Sequence, residues 1–294
     1  MALLQRSFIM ILIDFNGLAV ATVAVNKTDD PNLLRHMILN SLRLHRTQFK
    51  KDYGELVICC EGIGNWRKDY FPQYKANRKK YREQSDIDWN EAFRVLSEVR
   101  DEIKENFPYK VIQVDKCEAD DVIGTLCANT QEFGQYEDVL IISADKDFMQ
   151  LQKYPNVHQY NPIQKKFYKE DAPKANLIQK ILSGDTGDGV PNIMSDDDTF
   201  VTEGKRQNKL SAKKKLEIID DLAEGELLYA ASWYRNYQRN ETLIDLDKTP
   251  EELKVKIVSE FSSQDQSKNS SLVFPYLINK NMKMLIESVE EFIN

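Results

Sequence analysis

The sequence has few of the side chains from which most zinc and nucleophilic sites are built. Only three histidines occur in 294 residues, and they are too scattered for a zinc site or a Ser-His-Asp triad. The four cysteines form no CxxC pair, so we expect reduced, buried thiols and a cytosolic setting. These shortages narrow the chemistry to carboxylates, lysine and arginine.

Long apolar runs are also missing. The run Phe8–Ile13 is far too short to cross a bilayer, although Arg6 precedes it and Ala19-Val20-Ala21 resembles a signal-peptide cleavage site. Asp14 and Asn16 interrupt any signal-peptide core. A buried β-strand is therefore the better interpretation, and we expect a cytoplasmic protein without membrane contact.

A net positive charge, the usual sign of a nucleic-acid binder, is absent too. The chain carries −7, but residues 64–82 and 205–215 each carry +6, which leaves −19 on the remainder. Such asymmetry suggests basic contact patches beside an acidic metal site. A solvated helix face is an equally good explanation of either patch taken alone.

Four apolar, β-branched runs predict buried strands: Phe8–Ile13, Leu56–Cys60, Val111–Val114 and Val139–Ile142. Helical patterns lie between them at Leu33–Phe49, Asp88–Phe107 and Ala119–Phe133. The alternation predicts an α/β fold with a mainly parallel central sheet flanked by helices.

The pattern changes near residue 155. A short hairpin is predicted from Val157–Tyr160 and Lys166–Tyr168, and mostly helical segments follow. We therefore predict a core of residues 1–180 and a smaller helical C-terminal domain of residues 181–294. The polar stretches Ser195–Asn208 and Ser262–Ser271 are the best candidates for disorder.

Each predicted strand is followed closely by an acid. The acids after the four strands are Asp14; Glu61; Asp115 and Glu118; and Asp145 and Asp147. In an open parallel sheet the carboxyl ends of the strands share one edge, so these residues should converge there. For Asp115 alone, a helix cap or solvated loop is the better interpretation.

Clustered acids require a counter-charge. At an effective dielectric near 20, two carboxylates about 5 Å apart repel by roughly 3 kcal/mol. Mg²⁺ prefers oxygen ligands, and two such ions can activate a water and stabilise the leaving oxygen in phosphodiester hydrolysis. The edge of the sheet is thus predicted to bind divalent metal.

Four motifs, in order, resemble the 5′-nuclease or flap-endonuclease family, which includes phage RNase H enzymes and the 5′-nuclease domain of bacterial DNA polymerase I. They are Leu12-Ile13-Asp14-Phe15, the acidic segment 118–126 (EADDVIGTL), the segment 145–151 (DKDFMQL) and the segment 184–191 (GDTGDGVP). Residues 70–78 (YFPQYKANR) resemble the family's arch motif. The resemblance covers about residues 8–215.

The resemblance implies a PIN-like nuclease core with a helical arch at about residues 62–90, which accepts the 5′ single strand. It implies one metal held by Asp14, Glu61, Glu118, Asp120 and Asp145. It implies a second held by Asp147, Asp185 and Asp188, with Asp121 in support. Lys75 and Arg78 would meet the scissile phosphate as catalytic cations.

Nucleic-acid contacts are expected from the two basic patches and their aromatic neighbours. The residues in question are Trp66, Arg67, Lys68, Tyr74, Lys79, Lys80, Arg82, Lys205, Arg206, Lys213, Lys214 and Lys215.

Three features of the sequence depart from the family pattern. Glu61 stands where Asp is usual, and Gly189 replaces the Asn after the last acid. The glycine-rich hairpin of the helix-three-turn-helix duplex grip is missing after Pro191, where Asp196-Asp197-Asp198 follows. The duplex-binding region is therefore modified.

The leading hypothesis is a structure-specific 5′ nuclease with exonuclease, RNase H and flap endonuclease activity, which removes RNA primers and adjacent DNA during replication. Expected substrates are DNA duplex, RNA–DNA hybrid and 5′ flap DNA, with two Mg²⁺ ions that Mn²⁺ can replace. We expect a monomer in the bacterial host cytoplasm if the gene is a phage gene, with a single-strand-binding protein and a sliding clamp as partners. A related endoribonuclease and an inactive nuclease-like DNA-binding module remain alternatives.

Overall fold

The computed structural model describes residues 9–78, 82, 85–131, 136–224 and 231–294. The chain forms two compact units, each assembled from separate stretches. The first unit comprises residues 1–64, 86–169 and 251–294, and the second comprises residues 65–85 and 170–250. None of the described helices has the length and apolarity needed to cross a membrane.

The described strands are β1 (Met10–Asp14), β2 (Glu55–Glu61), β3 (Lys110–Val114), β4 (Val139–Ile142), β5 (Val157–Asn161) and β6 (Lys166–Tyr168). They form one sheet in the order β3-β2-β1-β4-β5-β6 within the first unit. All neighbours are parallel except β5 and β6, which pair as an antiparallel hairpin. The predicted α/β class, the parallel sheet and the hairpin are confirmed.

The described α-helices are α1 (Phe15–Asn26), α2 (Pro31–Tyr53), α3 (Trp66–Tyr70), α4 (Trp89–Asn106), α5 (Ala119–Asn129), α6 (Pro173–Ser183), α7 (Ala212–Glu224), α8 (Tyr234–Ile244), α9 (Glu251–Ser263), α10 (Val273–Asn279) and α11 (Lys283–Ile286). Helix α2 shows why such segments begin and end where they do. The Asp30 carboxylate accepts the Leu33 N–H at 2.7 Å and Pro31 opens the first turn, while Gly54 ends the helix with φ +76°.

Helix α4 begins with an acidic cap. Asp88 itself is the cap, and its Oδ1 accepts the N–H groups of Asn90 and Glu91. Helix α1 has no counterpart in the predicted elements. Its sequence is nearly all apolar and includes Gly17, so it lacks the polar stripe by which a surface helix is recognised.

The predicted domain boundary near residue 180 does not describe how the C-terminal segment packs. Val273, Tyr276, Leu277 and Phe292 belong to the same buried cluster as the strands and helices of the first unit. Gln264 also pairs with the exposed edge of β3, since its side-chain Oε1 accepts the Val111 N–H at 2.9 Å. Residues 251–294 therefore complete the first unit instead of extending the second.

In the second unit, two apolar clusters organise short segments. One joins Phe71 and Tyr74 to α6 and α8, and the other joins α6 to α7 through Leu182, Ile218 and Trp233. Helix α8 starts at Tyr234, and residues 225–230 lie outside the described part.

The segment predicted to be disordered at Ser195–Asn208 is held by specific hydrogen bonds. The Asn208 N–H donates to Ser195 Oγ at 2.8 Å, and Lys205 Nζ donates to Asp198 Oδ1 at 2.5 Å. Polar composition gave the wrong prediction here because these polar groups bond to one another.

A buried arginine supports the C-terminal segment of the first unit. Arg46 Nε and Nη2 donate to the Glu55 carboxylate at 2.9 Å, and the guanidinium also donates to the carbonyls of Glu291, Ile293 and Asn294 at 2.8–2.9 Å. The side chain is 1% exposed, so its donors bond to protein groups, whereas the Glu55 side chain is 47% exposed.

We predict that Arg46→Met destabilises the protein by about 1–3 kcal/mol, because it leaves three carbonyls without their buried donor, while Lys50 still pairs with the Glu55 carboxylate. Urea unfolding measures the change. Arg94→Met is the matched control, since Arg94 is an exposed helix arginine whose salt bridges are to Glu91 and Glu98 of the same helix. Equal effects of the two substitutions would contradict the assigned role of Arg46.

A second network involves Glu102 on α4. Its carboxylate accepts from Arg35 Nε at 2.6 Å, from Tyr276 OH at 2.7 Å and from Lys280 Nζ at 2.5 Å. Burial raises the pKa of Glu102, but these three hydrogen bonds outweigh it and the pKa is lowered below its usual value of 4.5.

A group with a lowered folded-state pKa stabilises the protein above its unfolded pKa, and that contribution is lost as the pH falls through the folded pKa. We therefore predict that Glu102→Gln is most destabilising near neutral pH. The difference from the wild-type protein narrows below about pH 4.5, the usual value. Urea midpoints measured from pH 3 to 7 test this, and a difference that grows on acidification would contradict it.

Candidate metal and phosphate sites

The carboxyl ends of four parallel strands lie side by side in the first unit. The pairing register places Asp14 of β1 opposite Cys59 of β2, and Glu61 of β2 opposite Val114 of β3. β4 ends at Ile142, opposite Ile13. The predicted acids thus start from neighbouring positions on one edge, as expected for this topology.

Asp14 is the most constrained of these acids. It caps α1, with its Oδ1 accepting the Gly17 N–H at 2.8 Å, and its Oδ2 accepts the Ser143 hydroxyl at 2.8 Å. A Cβ at position 17 would lie 2.2 Å from Asp14 Oδ2, so only glycine leaves room for the carboxylate. The side chain is 6% exposed.

Ser143 connects Asp14 to the loop that follows β4. While its hydroxyl donates to Asp14, the same oxygen accepts the Asp145 N–H at 3.0 Å. The buried Gln159 amide donates to the carbonyls of Ser143 and Asp145 at 3.1 and 2.5 Å. Asp145 Oδ1 in turn accepts the Asp147 N–H at 2.8 Å, so the loop is fixed at both of its acids.

The acids after β3 are organised by the start of α5. Glu118 and Asp121 form a reciprocal capping box, in which Asp121 Oδ2 accepts the Glu118 N–H at 2.8 Å. Both are buried, whereas Asp120 is half-buried in the same first turn. This arrangement agrees with the expectation that all three crowd one helix end, where the helix dipole favours negative charge.

Glu61 is exposed at the end of β2. Its N–H donates to Asn16 Oδ1 at 3.2 Å, and its carbonyl accepts from Gln113 Nε2 at 2.9 Å. A Cβ on the next residue, Gly62, would lie 2.0 Å from the Val114 carbonyl, so the turn after β2 requires glycine.

The buried carboxylates identify this edge independently of any motif. Of the 47 acids in the sequence, those buried in the described part of the chain are Asp14, Glu118 and Asp121, and all three belong to the predicted metal set. Charged groups are seldom buried without compensation, so this concentration indicates a site for positive charge.

The donor set fits a hard divalent cation. All candidate ligands are carboxylates, and each ionised carboxylate has about four acceptor positions. However, no three His, Cys, Asp or Glu side chains within the described ranges are arranged to hold an ion. Binding a metal would therefore have to draw these carboxylates closer together.

Lys75 and Arg78 belong to the second unit, where both meet Asp188. Arg78 Nη2 lies 2.5 Å from Asp188 Oδ1, and Lys75 Nζ lies 3.7 Å from Oδ2. The Tyr74 hydroxyl donates to Oδ2 at 2.9 Å. Burial raises the pKa of Asp188, but the charges of Lys75 and Arg78 outweigh it and the pKa is lowered.

Asp185 lies in the same turn. Its Oδ1 accepts the Asp188 N–H at 3.1 Å, and its Oδ2 lies 3.0 Å from Lys180 Nζ. Gly184 has φ +70° and a Cβ there would lie 2.3 Å from the Val190 carbonyl, which explains the glycine that opens this motif.

The predicted stacking residues of the arch segment require correction. Trp66 and Tyr74 are buried, as is Arg67, whose Nε donates to the Leu243 carbonyl at 2.9 Å while its guanidinium lies over the Trp66 ring. These side chains hold the second unit together and are unavailable to nucleic acid in this structure. Tyr70, which is 50% exposed, is the aromatic residue here that can still stack.

The other predicted contacts of the arch segment are surface residues or lie outside the described part. Lys68 and Arg82 are exposed, and Lys79 and Lys80 fall outside the described ranges.

The basic patch at residues 205–215 is partly neutralised. Lys205 pairs with Asp196 and Asp198, Lys214 lies 3.1 Å from the Glu217 carboxylate, and Lys215 Nζ donates to Ser183 Oγ at 2.6 Å. Arg206 and Lys213 are exposed. Phosphate contacts by this patch stay a prediction.

Comparisons with known proteins assign the chain to a family. Residues 6–180 match the model of the 5′–3′ exonuclease N-terminal resolvase-like domain, and residues 171–292 match the model of the T4 RNase H C-terminal region. Ribonuclease H of Enterobacteria phage T4 is 35% identical over 292 residues, which cover 96% of this chain and 95% of that protein. The chain belongs to the 5′–3′ exonuclease family. It is accordingly a hydrolytic nuclease.

Other members of the family differ more. A 5′–3′ exonuclease of Buchnera aphidicola is 29% identical over 240 residues, covering 76% of this chain and 79% of that one. A T5 5′-exonuclease structure with bound zinc aligns with a TM-score of 0.60 at 17% identity, covering 97% of this chain and 99% of that one. At this identity the alignment supports the fold, including the PIN-like α/β core.

Sequence patterns missed Ser143, Gln159 and Gly17, which position the acids of the exonuclease-family core. A serine, a glutamine and a glycine carry no motif signal by themselves. Only Gly17 could have been suspected, because a glycine three residues after a helix-capping acid is unusual within an apolar helix.

We predict that Ser143→Ala weakens Mn²⁺ binding about tenfold or more, because the hydroxyl orients Asp14 and the Asp145 loop, and loss of such supporting contacts typically costs 10- to 100-fold in metal affinity. Isothermal titration calorimetry without nucleic acid measures this. Ser143→Thr retains the hydroxyl and should bind Mn²⁺ as the wild-type protein does. Unchanged Mn²⁺ affinity in the alanine variant would remove Ser143 from the site.

Proposed function

We propose that this nuclease is structure-specific and acts at 5′ ends and 5′ flaps, with 5′→3′ exonuclease, RNase H and flap endonuclease activity. Its biological task would be to remove RNA primers and the adjacent DNA during replication. The observation that carries this proposal is the similarity to phage T4 ribonuclease H along 96% of the chain, including the region of the candidate arch. The burial of three acids at one edge of the sheet supports it from the physical side.

Mg²⁺ is the proposed metal, in two sites, with Mn²⁺ as a substitute. In the first unit of the structure, the proposed ligands of the two ions are Asp14, Glu61, Glu118, Asp120, Asp145 and Asp147, with Asp121 in support. Asp185 and Asp188 are proposed to contribute to the second site. When bound, the ions supply an activated water and stabilise charge on the leaving oxygen.

The chain's own residues provide the rest of the catalysis. Gly17 and Ser143 fix the direction of the Asp14 carboxylate, and the Gln159 amide fixes the loop that carries Asp145. Lys75 and Arg78 are proposed to bind a substrate phosphate, since a cation there stabilises charge on the phosphate oxygens. Because no element of this chemistry reads a base, RNA–DNA hybrid, DNA duplex and flap DNA are all plausible substrates.

The cellular setting is proposed from the phage origin of two relatives. Similarity to phage enzymes favours a phage gene product that acts as a monomer in the cytoplasm of a bacterial host. A single-strand-binding protein and a sliding clamp are the proposed partners, because a primer-removing nuclease works behind a replication fork.

We predict that the wild-type protein with Mg²⁺ cuts a 5′-labelled flap, a nicked duplex and an RNA–DNA hybrid. Asp145→Asn should reduce the rate by more than about a hundredfold, because replacement of even a supporting residue of a metal site costs 10- to 100-fold. The fold should be unaffected, since asparagine caps a helix start as aspartate does. Gel-based cleavage rates and circular dichroism measure the two effects.

Asp115→Asn is the matched control, because this exposed acid also follows a strand of the sheet. Its Oδ1 accepts the N–H of Ile63 in a neighbouring loop at 3.3 Å. It should cleave at nearly the wild-type rate. Cleavage of RNA alone would favour the endoribonuclease alternative. Binding without cleavage would favour a DNA-binding module.

A further inference from the structure

Asp188 has an environment that a metal-binding role does not explain. Within one five-residue stretch, the Tyr74 hydroxyl, Lys75 Nζ and Arg78 Nη2 all approach its carboxylate, at 2.9, 3.7 and 2.5 Å. The side chain is only 18% exposed, so these partners replace most of its water. Ligands of a divalent cation are not usually surrounded by cations of the protein.

The backbone reinforces this arrangement. The Lys75 N–H donates to the Asp188 carbonyl at 2.8 Å, and Asn77 Nδ2 donates to the Thr186 carbonyl at 2.9 Å. Lys75 has φ +56°, a conformation that non-glycine residues seldom adopt. The position of the two cations therefore depends on the turn that contains Asp188.

A carboxylate and a phosphodiester present similar oxygens to lysine and arginine. We propose that Asp188 is a positioning residue, which holds Lys75 and Arg78 in the nucleic-acid-free protein and is exchanged for a substrate phosphate on binding. The proposal rests on the proposed function, because the displacing anion is a phosphate of nucleic acid.

The exchange keeps the charges balanced. Lys75 is only 13% exposed on its side chain, so loss of the anion beside it would carry a desolvation penalty. The carboxylate supplies that anion until a phosphate replaces it, and the released carboxylate then has acceptor positions for a cation. The Asp188 side chain thus has two successive states: the ion pairs of this structure, and then the metal contact that the family resemblance implies.

The test is the binding of a fluorescein-labelled 5′-flap DNA in EDTA, followed by fluorescence anisotropy. Asp188→Asn removes the competing charge, so the variant should bind about fivefold more tightly, which corresponds to an ion pair of about 1 kcal/mol. A residue with a merely structural role would give weaker binding.

The control is Glu241→Gln, because Glu241 is another acid of the second unit that pairs with a lysine, with its carboxylate 3.1 Å from Lys248 Nζ. It makes the same change in net charge at an acid whose ion pair is with Lys248 instead of Lys75 or Arg78, and affinities are compared with this variant. Asp188→Glu keeps the charge and should bind as the wild-type protein does. If the asparagine variant fails to fold, Asp188→Ser also removes the charge, and its affinity is compared with that of Glu241→Gln in the same way.

A double-mutant cycle assigns the effect to the two cations. In a Lys75→Ala/Arg78→Ala background, Asp188→Asn should no longer tighten binding relative to Glu241→Gln. Tightening that persists there, or its absence in the native background, would overturn the proposal. Cleavage by the wild-type protein in Mg²⁺ is measured separately, so loss of the proposed nuclease function is distinguishable from failure of the exchange, which is read without metal.

Discussion

The structure depends on keeping several like charges together at one edge of a parallel sheet. Asp14, Glu118 and Asp121 are buried there, where their mutual repulsion is least screened by water. Neutral donors of the first unit contact them: the N–H groups of Gly17 and Glu118 and the hydroxyl of Ser143. These donors orient the carboxylates and carry no formal charge of their own.

The second unit pairs two of its acids with cations. Asp188 and Asp185 are paired with Lys75, Arg78 and Lys180, so their charge is already balanced by the protein. An ion pair can exchange either partner for an outside ion of the same sign. Asp188 therefore has cationic neighbours in this structure, although the family resemblance treats it as a metal ligand.

The sequence predicted the features that depend on local patterns. Val139–Ile142 is a strand with the predicted ends, and the acids after the strands lie on one edge because parallel topology requires it. Sequence patterns gave wrong predictions where contacts between residues distant in sequence determine the structure. The burial of Tyr74 depends on residues of α6 and α8 that lie more than 100 positions away, such as Ile181 and Leu243. The packing of residues 251–294 depends on apolar faces supplied by the first unit. The importance of Ser143 likewise arises from an acid 129 residues earlier.

The burial of the arch aromatics also restricts how the second unit can meet nucleic acid. Trp66, Arg67 and Tyr74 are buried. The surface of the described segment therefore offers exposed Lys68, Tyr70 and Arg82 and the partly exposed guanidinium of Arg78. Lys68 can attract any phosphate and Tyr70 can stack on any base, so neither distinguishes one sequence from another. A surface made of such groups recognises the shape of a nucleic-acid strand and not its base sequence. A nuclease that acts at junctions requires this property.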